Sequence, residues 1–292
     1  MIMKKIFIGC ALLVVVAGGA FGFGQIEMTT PEAVSEQYSY DGDIVVGRTV
    51  SLVVGSGGSG VNRTYRIGFS PGTSGDGGNR RLYSASGASI PYEILDSVTG
   101  GNQLKDLDDG GPVLSGTIPS GGSATESFDV RVFGGALPHP GTYIDEVTLT
   151  AYNFNNAPQA QVTLSIVVNI PANISLELSS NHLELGDLVE NASGSVRVTV
   201  TSNADYGIEL SSPYNNWRMA HEDQTVASFV PYSLRLDAVN LDLSRNPTMV
   251  PGFGITGQAG REHLLEIIVG NTDNAVSGYH SDVIDITVTA NQ

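Results

Sequence analysis

Of 292 residues only one, Cys10, is a cysteine. It lies in an N-terminal apolar stretch with only Ile6 to Gly9 of that stretch ahead of it, too little for a lipid-attachment signal. Once that stretch is removed no thiol remains, which excludes disulfides and Cys-ligated metals. Lysine is scarce as well: Lys4, Lys5 and Lys105 are the full set. Lys4 and Lys5 precede an apolar run from Ile6 to Ala17, and small residues follow at Ala20-Phe21-Gly22, with Gly22-Phe23-Gly24 as a second cleavage position. This is the pattern of a secretory signal peptide over residues 1–22. The run is too short and too bounded by glycine to span a bilayer comfortably, so no stable membrane insertion is expected. Losing two lysines takes the formal net charge from −16 to about −18. Such a surface repels nucleic acid and anionic lipid, and it suits an exported protein.

Amphipathic helical periodicity is missing throughout. Charged residues make up only 15% of the chain, and 36 residues are glycine, so the remainder is rich in the residues of strands and turns. Period-2 apolar runs recur at 48–54, 64–70, 127–134, 145–152 and 161–170. After Pro171 they recur at 173–179, 195–202, 206–212, 230–237, 263–270 and 282–290. Each is bounded by Gly, Pro, Asn, Asp or Ser, as half-buried antiparallel strands are. Strands at this density predict an all-β protein built as sandwiches.

The chain also repeats itself. "RTVSLVV…TYRIGFS" matches "SVRVTVTSNADYGIELSS", and "IPYEILD" (90–96) matches "VPYSLRLD" (230–237) with Tyr92 and Tyr232 in register. "SFDVRVFG…GTYIDEVTLTA" matches "LLEIIVGN…GYHSDVIDITVTA". The nearly constant spacing between copies predicts two tandem domains of one fold, 23–171 and 172–292, meeting near Pro171.

The series "YRIGFSPG", "NRRLY", "IPYEIL", a "VFG" strand and "GTYIDEVTLTAY" resembles the spore coat protein U domain family, which includes subunits of archaic chaperone–usher pili. The resemblance covers most of 44–152 and, more loosely, 174–290. Its most specific part is the closing Gly-Tyr-x-Asp strand element. The chain departs from the family in lacking its cysteines, and the second copy has Trp217-Arg218 near the place of Arg80-Arg81. The resemblance implies immunoglobulin-like, pilin-type sandwiches, one of them lacking its last strand. Residues 159–170 offer a closing strand to the first copy, whereas the second ends on its own "DVIDITVTANQ". The second domain is therefore expected to accept a donor strand from a chaperone or neighbouring subunit, with Val283, Ile284, Ile286 and Val288 in the acceptor groove. "IEMTT" aligns with "ISLEL", and 31–43 show no sustained apolar alternation to donate. That combination points to a tip adhesin of a chaperone–usher pilus. Its expected partners are a periplasmic pilus chaperone, an outer-membrane usher and the adjacent pilin subunit, with an unidentified surface or receptor at the cell exterior. Alternatives of other classes are a structural spore-coat or surface-matrix protein and a secreted carbohydrate-binding sandwich.

Catalytic signals are weak. Five histidines (139, 182, 221, 263, 280) show no metal or catalytic spacing, so no catalytic, cofactor-binding or metal-binding residue is expected. The acidic turn 105–111 lacks the Glu a closed calcium loop needs. The glycine-rich 55–60 lacks the Lys-Ser/Thr and helix of a phosphate cradle, and reads as a hairpin loop. Tyr143 and Tyr279 read as matched tyrosine corners, with Asp145 and Asp282 as turn acceptors beside them. Recognition is expected in loops at one end of the first sandwich. The candidates are 55–62, 71–78 and 134–141, and the last is preferred because Ala136, Leu137, Pro138 and Pro140 are apolar.

Overall fold

The computed structural model describes residues 25–55, 60–96, 101–214 and 216–291; the signal peptide assigned to 1–22 and part of the 55–62 loop lie outside the described residues. In the first half the strands are β1 (Ile26–Met28), β2 (Val34–Gln37), β3 (Ile44–Val54), β4 (Arg63–Phe69), β5 (Arg81–Ser84), β6 (Ser89–Leu95), β7 (Leu114–Ile118), β8 (Ser123–Val132), β9 (Gly141–Asn153) and β10 (Pro158–Ile170). In the second they are β11 (Ile174–Leu178), β12 (Ser193–Ser202), β13 (Tyr206–Ser211), β14 (Arg218–His221), β15 (Phe229–Leu236), β16 (Val239–Asn240), β17 (Thr248–Phe253), β18 (Arg261–Val269), β19 (His280–Ser281) and β20 (Asp285–Ala290). No helix among the described residues is long and apolar enough to cross a membrane.

The first sandwich packs a layer ordered β1-β3-β8-β6 against one containing β7, β4, β9, β10 and β2, with β5 linking β6 to β9 at the rim. Alternation explains the pairing of layers: Tyr65, Ile67 and Phe69 of β4 and Val147, Leu149 and Ala151 of β9 all point into one core. The second sandwich repeats the plan. Its layers are β11-β12-β18-β15 and β17-β13-β20, and β14 links β15 to β19. Its core is separate, centred on Val198, Val200, Tyr206, Ile208, Leu210, Leu234 and Leu265.

Two strands of the first sandwich have no counterpart among the described residues of the second. β10 runs antiparallel to β9, with Leu164 opposite Val147 and Ile166 opposite Asp145. β2 then lies parallel to β10, pairing Val34 with Ile166. Leu164, Ile166, Val168 and Ile170 are fully or almost fully buried. The 31–43 segment, which reads as irregular, thus contains a short strand, because Val34 and Tyr38 supply two buried anchors where sustained alternation is not required.

Because β10 fills the core, Ile166→Ala should destabilise the first sandwich by about 2–5 kcal/mol. Thr163→Ala, on the outward face of the same strand, should change it by less than about 0.5 kcal/mol. Denaturant midpoints at constant slope measure both.

Candidate functional site

The two copies of the closing strand differ in what covers them. Gly141 and Gly278 occupy matched places, both at φ 143, and Asp145 and Asp282 follow each by four residues. From there Val147, Leu149 and Ala151 correspond to Ile284, Ile286 and Val288. The pairings agree: Leu149 faces Phe69 and Ala151 faces Ile67, while Ile286 faces Leu210 and Val288 faces Ile208. In the first sandwich these inward residues are wholly buried. In the second, Ile284, Ile286 and Val288 are only partly buried, although they pack against the core. Ile174, Leu176 and Leu178 of β11 are partly buried too, whereas Ile26 of the matching β1 is almost fully covered.

The cause is that no described residues of the second sandwich play the part of β10. β10 lies alongside both β9 and β1, but in the second sandwich β11 meets β20 directly. The outer edge of β20 pairs with no strand among the described residues. An apolar seam therefore runs between β11 and β20, beside a row of open backbone donors and acceptors. Ile284, Ile286 and Val288 lie on it. Val283 does not: it precedes β20, points the other way and is 51% exposed. Its odd position puts it on the outer face, since side chains alternate along an extended chain. Ile174, Leu176 and Leu178 were not anticipated, although "ISLEL" carries their alternation openly.

Each sandwich also holds a carboxylate beneath its closing strand. The Tyr92 hydroxyl donates to Asp145 Oδ2 at 2.5 Å, and Tyr232 donates to Asp282 Oδ2 at 2.6 Å. Asp145 further accepts from the Thr73 backbone N–H and hydroxyl, and Asp282 accepts from the Ser212 hydroxyl. Burial first, then the neighbouring carboxylate, pushes both phenols well above their ordinary value. Beside Asp145 sits Arg80, fully buried. Its hydrogen bonds among the described residues go to no carboxylate. Its N–H groups donate instead to the carbonyls of Phe69, Ser70, Gly77 and Leu104. Burial lowers its pKa, opposed by the neighbouring Tyr92 and by the carboxylates of Asp145, Asp109 and Asp76. Trp217 takes this place in the second sandwich, buried, with Nε1–H donating to Arg245 O at 2.9 Å.

Tyr143 is a tyrosine corner, buried and donating to His139 O at 2.9 Å. Tyr279 is not: it is 81% exposed. With the glycines and aspartates aligned, Tyr143 matches His280, and Tyr279 matches the outward Thr142. A displacement of one residue reverses the face of a side chain. Asp145 and Asp282 are acceptors in both copies, but their phenolic partners are Tyr92 and Tyr232.

The 134–141 loop is placed at the joint between the sandwiches. β9 begins where β10 ends, Gly141 opposite Ile170, so this loop faces the second half of the chain. Asn203, 1% exposed, donates its amide to Pro138 O, Pro171 O and the Tyr40 hydroxyl, and Gln258 donates to Gly135 O. Ala136, Leu137, Pro138 and Pro140 thus adjoin the interdomain contact, not the free end. At the opposite end are the turns after β3, β7 and β9, the first two tied together by Gly60 N–H to Ser120 Oγ and Ser120 N–H to Asn62 Oδ1. The turns expose Val61 and Phe154, the latter by 71%. In the acidic turn, Asp106 Oδ1 accepts from the Tyr152 hydroxyl at 2.7 Å.

Tyr92→Phe and Tyr232→Phe should each lower stability by about 1.5–3 kcal/mol, the worth of a hydrogen bond to a charged group. Tyr279→Phe should stay within about 0.5 kcal/mol. Thermal and denaturant unfolding of the three variants distinguishes this assignment from paired Tyr143 and Tyr279 corners.

Comparison with known proteins matches residues 6–150 to the Spore Coat Protein U domain. No curated protein matches. Among solved structures, the chain is similar to one in the CsuC-CsuE chaperone-tip adhesion subunit pre-assembly complex from archaic chaperone-usher Csu pili of Acinetobacter baumannii. That match has 12% identity and TM-score 0.47, and covers 90% of this chain and 99% of that one. It is also similar to the CupB6 tip adhesin from Pseudomonas aeruginosa, at 11% identity and TM-score 0.45, covering 91% and 93%. CfaE, the adhesive subunit of CFA/I fimbria of enterotoxigenic Escherichia coli, matches at 12% identity and TM-score 0.39, covering 89% and 92%. Residues 6–150 are thus identified as a Spore Coat Protein U domain.

Proposed function

We propose that this protein is the tip adhesin of a chaperone–usher pilus, whose second sandwich accepts a β-strand from a partner. The observation that carries this reading is the seam between β11 and β20, which stands where the first sandwich holds β10. A strand entering there would pair with the open edge of β20 and cover Ile284, Ile286 and Val288, as β10 covers Val147, Leu149 and Ala151. A periplasmic chaperone would supply it before assembly and the adjacent subunit afterwards, with an outer-membrane usher between the two steps. The protein would be exported, cross the periplasm, and reside at the cell surface. The Spore Coat Protein U domain over residues 6–150 supports this setting. The described residues nearest the N-terminus are engaged within the first sandwich, β1 on β3 and β2 on β10, which favours a subunit that accepts over one that donates.

The first sandwich is then the adhesive part, and its far end is the contact surface. Val61 and Phe154 stand exposed on turns anchored by hydrogen bonds, so apolar contact is available there without distorting the core. Serine at both positions should leave unfolding unchanged and reduce attachment of cells or beads carrying the protein. Undiminished attachment would move adhesion elsewhere.

The acceptor reading is tested by giving the second sandwich a strand of its own. A copy of residues 156–170 appended after Gln292, which stands where Asn155 does, completes the first sandwich's own turn and supplies β10 in the same polarity and register. Intramolecular supply raises the effective concentration to the order of millimolar. The unfolding temperature of the second sandwich should rise and its aggregation fall. A graft lengthened by one residue before the strand should lose that gain, because its apolar residues then face solvent. A second sandwich indifferent to both grafts would overturn the acceptor role.

A further inference from the structure

At the base of the seam the second sandwich holds a pair of histidines where the first holds neither. β14 and β19 pair through only two positions, Ala220 with Ser281 and His221 with His280. The two rings pack edge to face, centroids 5.1 Å apart. The matched residues of the first sandwich are Ser84 and Tyr143, which likewise pair across β5 and β9. There the strand β10 passes over the site, setting Val168 opposite Tyr143. By the same register, a strand entering the seam would set one residue opposite His280.

Hydrogen bonding engages both rings. His221 Nδ1 accepts from the Asp223 N–H at 3.0 Å, so Nε2 carries the proton and donates to Ser277 O at 3.1 Å. His280 Nδ1 contacts Gly278 O at 3.2 Å and must be its donor. His280 Nε2 lies 3.0 Å from Ser228 Oγ, whose hydroxyl already accepts from Val276 N–H and is free to donate to the ring. These tautomers follow from the network. All four ring nitrogens are therefore used. A proton added at His221 Nδ1 would face the Asp223 N–H, donor against donor. One added at His280 Nε2 would force the Ser228 hydroxyl to turn. His221 fits closely over Gly278: a Cβ there would stand 2.2 Å from Nε2, so a residue with a side chain would displace the ring.

The ionisable groups around the pair are otherwise occupied. Asp282 accepts from Tyr232 and Ser212. Asp223 accepts from the Thr225 hydroxyl and N–H. Glu222 accepts from the Tyr279 N–H, and Asp273, in the loop that reaches Ser228, accepts from Asn271. Arg218 is exposed at the far end of β14 and stacks on Phe229. Of these, Asp223 couples to His221 through space, from an exposed position where water and salt screen it.

We infer that His221 and His280 form a proton-sensitive latch at the base of the seam, so that donor-strand acceptance by the second sandwich is strong at neutral pH and weakens in acid. The inference rests on the acceptor reading given above. Histidine changes charge between pH 5 and 8, and a strand laid over the pair removes it from water, which penalises the charged form. The sign follows: the neutral rings complete both the network and the covered site, so stability conferred by the donor is present at the alkaline end of that range and is lost as pH falls. Acid would also loosen the two-residue bridge between β14 and β19, and with it the segment leading into β20, one wall of the seam.

The test uses the full chain carrying the grafted strand, with unfolding measured at pH 8 and pH 5. The donor's stabilisation should fall about tenfold in equilibrium terms between the two, the worth of one hydrogen bond. The double variant His221→Ser, His280→Tyr copies the first sandwich's own pair and should keep the gain at both pH values. His280→Asn, which keeps a donor and an acceptor but cannot titrate, provides a second variant should the double one fold poorly. A gain in the unaltered graft that is equal at pH 8 and pH 5 overturns the latch while leaving the acceptor role standing. So does the same pH loss in the non-titrating variants. No gain at either pH overturns both.

Discussion

A β-strand has two edges, and each edge must find a partner or face water. That requirement organises the whole molecule. In the first sandwich β9 is paired on both sides, by β4 and by β10, and β10 is covered in turn by β2. Every inward residue of β9 can then be dry, and even the Asp145 carboxylate is tolerated because four donors converge on it. In the second, β20 has β13 on one side only among the described residues. The same apolar alternation is present, but water reaches it from the open side, and the partial burial of both β20 and β11 follows from that one open edge.

What the two copies share lies beneath the closing strand. A tyrosine from β6 or β15 holds the aspartate that starts the strand. A large buried side chain, Arg80 or Trp217, donates to a carbonyl in the loop that follows the tyrosine strand. These plugs differ in chemistry but act alike. Arg80 gathers four carbonyls of three separate segments, which only a guanidinium can do. Trp217 makes one such bond and fills the remaining volume with its rings. The described residues contain no cysteine, and each sandwich instead has one non-covalent staple in place of a cross-link.

Much of this was legible in the residues. The alternating segments all contain strands, and the copy-to-copy spacing set Tyr92 against Tyr232 as the structure does, because period-2 patterning and long apolar runs survive without knowledge of the partner. The errors came where the meaning of a residue depends on a single step of register. Tyr279 follows a glycine just as a corner tyrosine should be near one, yet it stands one position early and faces solvent, leaving His280 in the corner. Val283 fails for the same reason. β2, β5, β7 and β14 are short and are formed by neighbours rather than by their own alternation. The 134–141 loop misled in another way. Its contacts with the second half run through the carbonyls of Gly135 and Pro138, not through the apolar side chains that drew attention to it, and only the pairing of Gly141 with Ile170 shows which way it faces.

The joint has a mechanical meaning within this plan. Any tension between the two sandwiches passes through their linker, and the linker is short, from Ile170 to Ile174. Asn203 clasps it on every side: its carbonyl oxygen accepts the Asn173 N–H, and its amide reaches Pro171, Pro138 and Tyr40. Tyr40 itself packs edge to face on Tyr38, which is buried beside the end of β2. A strand entering the seam would lie along β20 toward this same joint, since Ala290 pairs with Tyr206 and Asn291 N–H bonds Asp205 O just beyond Asn203. The open seam and the clasp are thus two ends of one sheet. Closing the first would stiffen the strand that abuts the second, so the completed second sandwich would hold the first on a firmer base than the uncompleted form provides.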